Sequence, residues 1–175
     1  MPATKPVEPV TYMFADDGAV PNNPRLPFLV YRGAVELSGT RAPEAAIEKL
    51  FDANGWGNFW RNGIFPYLHY HSMIHEALGV ARGRAKVRFG GHRGQEFELA
   101  AGDVAVLPAG TGHHGLWVSA DFVVIGAYPK AGRYDLCRGS KAEHAVALQT
   151  IPQVPLPDSD PVLGRAGPLP RLWRV

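Results

Sequence analysis

The chain has 175 residues, of which 46% are hydrophobic and 10% aromatic, and its formal net charge is +2. This length and composition suit one globular domain with a sizeable core and disfavour two independent domains. The charge is small, Lys and Arg are scattered, and no long apolar run occurs, so neither nucleic acid nor a membrane is an expected partner.

The cysteine content and the first residues indicate the compartment. Cys137 is the single cysteine, which excludes an intramolecular disulfide, and we expect it to be buried and unreactive. The opening segment MPATKPVEPV lacks the charged and then apolar pattern of a secretory signal. A cytoplasmic location is therefore expected.

Glycine and proline usage predicts the fold class. The chain has 20 glycines and 16 prolines, more than average usage, which is typical of short strands joined by tight turns. We therefore predict an all-β protein.

The first third of the chain predicts an arm, a strand and a helix. Residues 1–27 are interrupted by prolines, with VTYMF as a short strand, and Phe28 to Tyr31 predicts a second strand. One helix is predicted from Pro43 to the stop signal Asn54-Gly55, because apolar residues recur there at helical spacing. These residues are Ala46, Ile47, Leu50 and Phe51.

The remainder predicts a barrel and a tail. Short β-prone runs separated by glycines follow the helix up to about residue 130, which is typical of a sandwich or barrel. Beyond residue 130, SKAEHAVALQ predicts a helical patch. The proline-rich end holds Val162, Leu163, Leu169 and Trp173, and it is either an ordered strap or a loose terminus.

Two segments carry three imidazoles and one carboxylate, a ligand set suited to a divalent transition metal. Residues two apart on a strand point to one face, about 6.5 Å apart, so His69 and His71 can converge on one ion. A curled sheet could bring Glu76 and His113 to the same ion. In chain order, the residues that define the pattern are Gly63, His69, His71, Glu76 and Gly83 in the first segment, and Gly102, Pro108, Gly110 and His113 in the second.

In order and spacing these positions resemble the two motifs of the cupin superfamily. The resemblance runs from Gly63 to His113 and implies a cupin barrel, a double-stranded β-helix or jelly-roll, here with one N-terminal-side helix and proline-rich arms. HYHSMIHEALGVARG and GDVAVLPAGTGHHGL further resemble a bacterial group of single-domain cupins. One departure is Trp117, where the second motif often has Asn; that position is not a ligand in the pattern, so we expect the metal site to be retained and the substrate pocket to differ there.

The ligand set leaves the metal open. Three neutral imidazoles and one carboxylate suit Fe(II), Mn(II), Ni(II), Co(II) or Zn(II). Because the set leaves positions free on an ion that accepts six ligands, Fe(II) or Mn(II) is favoured. We predict one divalent metal ion and no organic cofactor.

Three further residues are candidate catalytic groups. Tyr67 shares the parity of His69 and His71, so its phenol either donates a hydrogen bond to substrate or only packs in the core. His75 and His114 adjoin predicted ligands and are expected to point away; either could act as an acid or base if the pocket opens towards it. The aromatic residues just before the first motif are assigned to the core or an interface: Trp56, Phe59, Trp60 and Phe65.

Three classes of function remain open. In the first, a metal-dependent enzyme of the oxygenase type acts on a small organic molecule, with Fe(II) favoured. In the second, a redox-neutral isomerase, epimerase or lyase acts on a sugar or keto acid. In the third, the pocket binds a metabolite or metal without turnover. Whether the protein is an enzyme is left uncertain.

The organisation is predicted as a single cupin domain over residues 1–175. Residues 1–60 form the N-terminal arm and helix, 61–130 the core barrel motifs, and 131–175 the C-terminal strap. The proline-rich arms and the surplus of aromatic residues on a small barrel predict a homodimer. The remaining expected partner is a small-molecule substrate.

Overall fold

The computed structural model of the chain describes residues 2–174. Strands predominate, with three α-helices and one 3₁₀ turn at Ile151–Gln153. The strands and helices in chain order are β1 (Val10–Tyr12), β2 (Phe28–Tyr31), α1 (Pro43–Ala53), β3 (Trp56–Asn62), β4 (Glu76–Arg82), β5 (Arg84–Phe89), β6 (Gln95–Ala100), β7 (Val104–Leu107), β8 (His113–Val118), β9 (Val123–Pro129), α2 (Lys141–Thr150) and α3 (Leu169–Leu172).

The strands form two antiparallel sheets. The larger has the order β1-β2-β7-β4-β9-β3, and the smaller has the order β6-β5-β8. Most neighbours in these orders are not consecutive in sequence: β7 lies between β2 and β4, and β8 lies beside β5. The all-β jelly-roll predicted from the sequence is confirmed.

An apolar core lies between the two sheets. The larger sheet contributes Phe28 and Val30 from β2, and the smaller sheet contributes Val87 and Phe89 from β5 to the same buried cluster. On β5 the alternate residues Lys86 and Arg88 lie on the opposite, more exposed face. This alternation is the one that the segment AKVRFGG predicts, because strand side chains have a period of two.

The outer face of the larger sheet is covered by a helix and the C-terminal segment. Leu29 and Tyr31 of β2 pack there against Phe51 of α1 and against Leu169 and Trp173 of the tail. This explains why β2 is buried on both faces. The tail therefore packs as an ordered strap, and it is not a loose terminus.

A buried carboxylate fastens the strap. Asp160 is fully buried and accepts hydrogen bonds from the Tyr31 hydroxyl and from three backbone amides of its own segment. These amides belong to Val162, Leu163 and Leu169, at 2.8, 3.0 and 3.2 Å. The Trp173 indole donates to the carbonyl of Pro27 at 2.9 Å. Polar and apolar contacts thus both join the tail to β2 and the chain before it.

Helix α1 begins and ends where the sequence predicts. Pro43 occupies its first turn, and Asn54 and Gly55 follow its last residue, with Gly55 in the left-handed region at φ 82°. Helix α2 begins with a capping box formed by Ser140 and Glu143. No helix within residues 2–174 is long and apolar enough to cross a membrane.

One local expectation is wrong. The residues around His69 and His71 do not form a regular strand; His69 and Tyr70 make only isolated β-bridges, to His113 and Cys137 respectively. The chain from residue 63 to residue 75 is largely irregular and enters the larger sheet only at Glu76.

Candidate metal centre

His69 and His113 are brought together by backbone pairing. The amide of His69 donates to the carbonyl of His113 at 3.2 Å, and the amide of His113 donates to the carbonyl of His69 at 2.9 Å. Their ring centroids lie 4.1 Å apart. His113 begins β8 opposite Phe89, whose side chain belongs to the inter-sheet core, so the His113 ring faces the barrel interior.

Glu76 and His71 lie beside this pair of histidines. We call the four side chains of His69, His71, Glu76 and His113 the cluster. On β4, Glu76 shares the parity of Leu78 and Val80, which lie in the inter-sheet core, so its carboxylate points inward. Glu76 Oε2 lies 3.4 Å from Nε2 of His71 and 3.4 Å from Nε2 of His113. The structure thus brings together the four side chains that the sequence predicts as ligands.

Backbone carbonyls orient all three imidazoles. Nδ1 of each ring donates to a carbonyl oxygen, which can only accept. The three pairs are His69 with Tyr67 at 3.1 Å, His71 with Asp135 at 2.5 Å, and His113 with Thr111 at 3.1 Å. When the rings are neutral, Nε2 of each therefore carries a lone pair, and in metal sites such partners fix the ligating tautomer in the same way.

The donor set fits a divalent transition metal. One ligand nitrogen from each of the three histidines lies within 4.8 Å of the others, close to the span of about 4 Å between opposite ligands of one ion. Glu76 Oε2 is buried and has no hydrogen-bond partner within the described part of the chain. An unpartnered buried carboxylate oxygen is costly, and a cation among these atoms would remove that cost.

The electrostatics of the cluster couple Glu76 to His71. Burial alone would raise the pKa of the Glu76 carboxyl, but the neighbouring His71 and His113 hold it well below its usual range. Burial alone would lower the pKa of His71, yet Glu76 and the Asp135 carbonyl raise it above its usual value. Burial lowers the pKa of His69 to about 3, and the nearby His113 ring adds to that shift. The charge of Glu76 and the protonation of His71 therefore depend on each other.

The cluster forms the floor of a cavity of about 520 Å³. Glu76, His69, His71 and His113 are at most 5% exposed, whereas other lining residues reach solvent. We call three of these exposed lining residues the mouth: Phe65, Lys130 and Tyr134. A protected floor and an open mouth allow a small molecule to reach an ion at the cluster.

Two tyrosines line the cavity, although the sequence motifs did not single them out. Tyr128 is the last residue of β9 whose side chain faces the barrel interior. Its hydroxyl accepts a hydrogen bond from the Trp60 indole at 2.9 Å. Burial and the Glu76 charge raise the pKa of Tyr128 far above its usual value, so the phenol stays protonated. Tyr134 lies 5.1 Å from His71 between ring centroids. The parity of β9 could have identified Tyr128; Tyr134 lies in an irregular segment.

Trp60 and Phe65 also border the cavity, although the sequence assigned them to the core or an interface. Trp60 follows a β-bulge in β3, between Gly57 and Trp60, that alters the alternation of the strand. Phe65 is 42% exposed at the mouth. Trp56, by contrast, lies in the core as predicted.

Tyr67 occupies a different place from the one its parity predicts. It is half-buried, stacks on Phe65 with ring centroids 4.8 Å apart, and carries the Arg138 guanidinium 3.8 Å from its ring centre. It is absent from the described residues that line the cavity. Its contribution to the cluster is its carbonyl, which orients His69, and the catalytic role of its phenol stays a prediction.

His75 and His114 point away from the cluster. His75 lies on the outer face of β4: its ring is 4.8 Å from that of Trp173, and its Nδ1 accepts from the Ala109 amide at 2.9 Å. Burial lowers the pKa of His75 to about 3. His114 pairs with Arg88 on the outer face of the smaller sheet. These contacts give no support to a catalytic role for either residue.

Asp135 is a supporting residue that sequence reasoning missed. Its carboxylate accepts from the amides of Ser72 and Met73 and from the Ser72 hydroxyl, at distances between 2.7 and 3.0 Å, while its carbonyl orients His71. Cys137 donates its thiol to the same carboxylate at 3.3 Å, and burial raises the pKa of that thiol to about 12. The prediction that Cys137 is buried is confirmed.

No protein-family profile matches the sequence. The protein YjlB of Bacillus subtilis (strain 168) is 41% identical over 166 residues, which cover 95% of this chain and 97% of YjlB. The solved structure of the Bacillus subtilis oxalate decarboxylase OxdC is 16% identical, with a TM-score of 0.38; the match covers 75% of this chain and 29% of that one. The chain therefore spans less than a third of that decarboxylase.

A DUF861 family protein from Thermotoga maritima is 17% identical over 51% of this chain and 89% of its own, with a TM-score of 0.34. Neither solved structure bears on what this chain binds or does. The identity with YjlB extends over nearly the whole of both chains. The histidine and glutamate motifs meet inside a two-sheet jelly-roll, as the cupin pattern implies. The chain has the cupin fold and belongs to the same protein family as YjlB.

Proposed function

We propose that the protein is a metal-dependent enzyme of the oxygenase type that acts on a small organic molecule, with Fe(II) favoured over Mn(II) as its metal. The observation that carries this proposal is the convergence of three imidazoles and one carboxylate on the floor of a cavity of about 520 Å³ that opens to solvent. A purely structural ion would need neither the cavity nor the mouth.

The surroundings of the cluster favour chemistry supplied by the metal. His75 and His114, the candidate acids or bases, lie outside the cavity, and Tyr128 holds its proton too tightly to exchange it readily at neutral pH. When bound, Fe(II) supplies the capacity to activate dioxygen and to hold a bidentate substrate. The protein's share is to hold the ion, orient the substrate and exclude water.

Named residues fill these roles. His69, His71, His113 and Glu76 would hold the ion. Tyr128 accepts from the Trp60 indole and keeps its own hydroxyl proton, which it can donate to a substrate oxygen or to the neighbouring Glu76 carboxylate.

A redox-neutral reaction on a sugar or keto acid is the second candidate. The observation that favours it is the protonated phenol of Tyr128, a hydrogen-bond donor able to stabilise negative charge developing on a substrate oxygen. Binding without turnover is the third. Both are separated from the first candidate by the turnover measurement below.

Metal content tests the ligand assignment. His69→Ala and His113→Ala each remove one donor, so we expect metal affinity to fall by more than the about 10–100-fold typical of supporting residues. His92→Ala is the matched control, because His92 is exposed in the β5–β6 loop. The measurement is metal analysis of protein purified without added metal. Equal metal content in all three variants would reject the assignment.

Turnover tests the reaction class. Protein reconstituted with Fe(II) is supplied with diketones, catechols, thiols and keto acids while oxygen uptake is recorded. Oxygen consumption coupled to loss of substrate is the expected result. Turnover under nitrogen would favour the redox-neutral candidate, and a ligand-induced thermal shift without turnover would favour a binding protein.

We further propose a single cytoplasmic domain that forms a homodimer. The clusters that include α1, the strap and both sheets support one folding unit. A single cooperative unfolding transition, a dimer by light scattering and recovery in the cytosolic fraction are expected. Two transitions, a monomer or another location would contradict the respective part of this proposal.

A further inference from the structure

The mouth of the cavity carries one positive charge. Glu76, on the floor, is the one carboxylate among the described lining residues, and Lys130 is the one lysine. Arg133 and Arg138 follow Lys130 in the chain on either side of the mouth residue Tyr134. We call Lys130, Arg133 and Arg138 the cationic segment.

Within residues 2–174, none of the three side chains of the cationic segment forms an ion pair. Asp135, in the same stretch, turns its carboxylate inward to the amides of Ser72 and Met73. Glu143 lies beside one end of the segment, where its Oε2 accepts from the Arg138 amide at 3.2 Å. Lys130, the cation that lines the cavity, therefore presents its charge at the mouth without an ion-paired acid among the described residues.

The floor adds to this charge if the proposed function is right. Glu76 contributes one negative charge and a divalent ion two positive charges, which leaves the floor net positive. A cavity with low-dielectric walls and charges of one sign focuses the field and raises the local concentration of ions of opposite sign. Such a field favours an anionic ligand and disfavours a cationic one.

Two amides of β3 can supply neutral hydrogen bonds. Asn62 lines the cavity, and its Oδ1 accepts from the Gly63 amide at 2.8 Å, which leaves its NH₂ group to donate elsewhere. Asn58 also lines the cavity and lies in the left-handed region at φ 54°, in the bulge of β3. Asparagine tolerates that region better than most residues, so it suits this position in the bulge.

The apolar lining limits the shape of the ligand's body. Trp60, Tyr128 and Phe65 present aromatic surface, and Ile74 and Leu78 lie among the other lining residues. The volume of about 520 Å³ lies within the range of small-molecule pockets. The lining thus suits a ligand with a planar apolar body and a polar, charged end.

We propose that the ligand of this cavity is a small organic carboxylate with a planar apolar body, which rests on the proposed function. Lys130 is then a specificity-determining residue that recognises the negative charge of this ligand. The probes are phenylacetate, benzoate and cinnamate, each paired with its neutral amide of nearly equal shape. Calorimetry on the metal-loaded protein measures the affinities.

Each carboxylate is expected to bind at least about tenfold more tightly than its amide at low salt, with the difference shrinking as salt is added. Lys130→Gln should weaken carboxylate binding about three- to tenfold and leave amide binding unchanged, while Lys130→Arg should retain the preference. Lys49→Gln is the matched control, because Lys49 is exposed on α1, away from the cavity lining.

Equal affinity for carboxylates and amides, a preference for the amides, or no measurable binding of any carboxylate would overturn the inference. Metal content is measured on the same samples. A metal-loaded protein without the preference would overturn this inference alone. A wild-type protein that takes up no metal would instead overturn the proposed function.

Discussion

Asp135 fastens three consecutive residues of the site, His71, Ser72 and Met73. Its carboxylate caps the amides of Ser72 and Met73, and its carbonyl receives Nδ1 of His71. A residue that holds a ligand in position in this way affects metal binding without touching the metal.

Asp135→Ala is expected to destabilise the protein by about 2–4 kcal/mol, because buried amides lose their acceptor. It should also weaken metal binding about 10–100-fold, because the loop that positions His71 loosens. Denaturant unfolding and metal titration measure the two effects. Asp158→Ala, at an exposed aspartate, is the control, and a similar small effect of both substitutions would contradict the role given to Asp135.

Metal affinity should depend on pH through protonation of the imidazoles. Glu76 raises the pKa of His71, whereas burial lowers that of His69 to about 3, so a proton competes with the ion more strongly at His71 than at His69. Metal affinity then has its full value at pH above the pKa of His71 and falls at least about tenfold per pH unit below it. Competition titrations between about pH 6 and 8 measure this. An affinity that rises as pH falls would contradict it.

The four candidate ligands could be predicted from sequence, but their surroundings could not. His69, His71, Glu76 and His113 follow from spacing, and Glu76 and His113 lie on regular strands whose parity points inward. The same parity argument failed for Tyr67, because the chain around it is irregular and alternation holds only in a strand. Tyr134 and Asp135 lie in a segment without any periodicity.

At the scale of elements, α1 packs against β4 at a position without a side chain. A Cβ atom on Gly79 would lie 2.7 Å from Ile47 Cγ2 and 2.9 Å from Phe51 Cζ. Both contacts are shorter than apolar carbons tolerate, so the close approach of helix and sheet depends on this glycine.

Gly79→Ala is expected to destabilise the protein by about 1–3 kcal/mol, because α1 must shift away from β4. The matched control is Gly57→Ala, since a Cβ there meets no atom within 4 Å. Denaturant unfolding followed by circular dichroism compares the two. Equal stability of both variants would contradict this account of the helix-to-sheet contact.

Most element boundaries were predictable, because glycines mark them. Gly83 separates β4 from β5, and Gly90 follows β5. Both have positive φ, a conformation that other residues rarely adopt. Pairing between strands was not predictable in the same way. The orders β2-β7-β4 and β5-β8 depend on contacts between residues far apart in sequence, which no local pattern records.

For the whole molecule, the C-terminal strap is part of the core. Trp173 is 2% exposed, contacts the His75 ring and donates its indole proton to Pro27. The sequence left open whether this tail is ordered, since its prolines exclude regular structure without excluding packing.

Trp173→Ala is expected to cost about 3–5 kcal/mol, the usual range for removing a buried tryptophan. Trp117→Ala should change stability by less than about 0.5 kcal/mol, because Trp117 is 55% exposed. Unfolding of both variants under the same conditions provides the comparison. A Trp173→Ala protein as stable as the Trp117→Ala protein would mean that the tail contributes little to the fold.

The central claim is that four side chains hold one metal ion at the floor of the cavity. The most direct measurement is anomalous X-ray scattering at metal absorption edges from crystals of the protein. One anomalous peak is expected within bonding distance of a nitrogen of His69, His71 and His113 and of the Glu76 carboxylate, with its edge at iron or manganese. Absence of a peak among these atoms in metal-supplied crystals, with the donor atoms turned apart, would contradict the account.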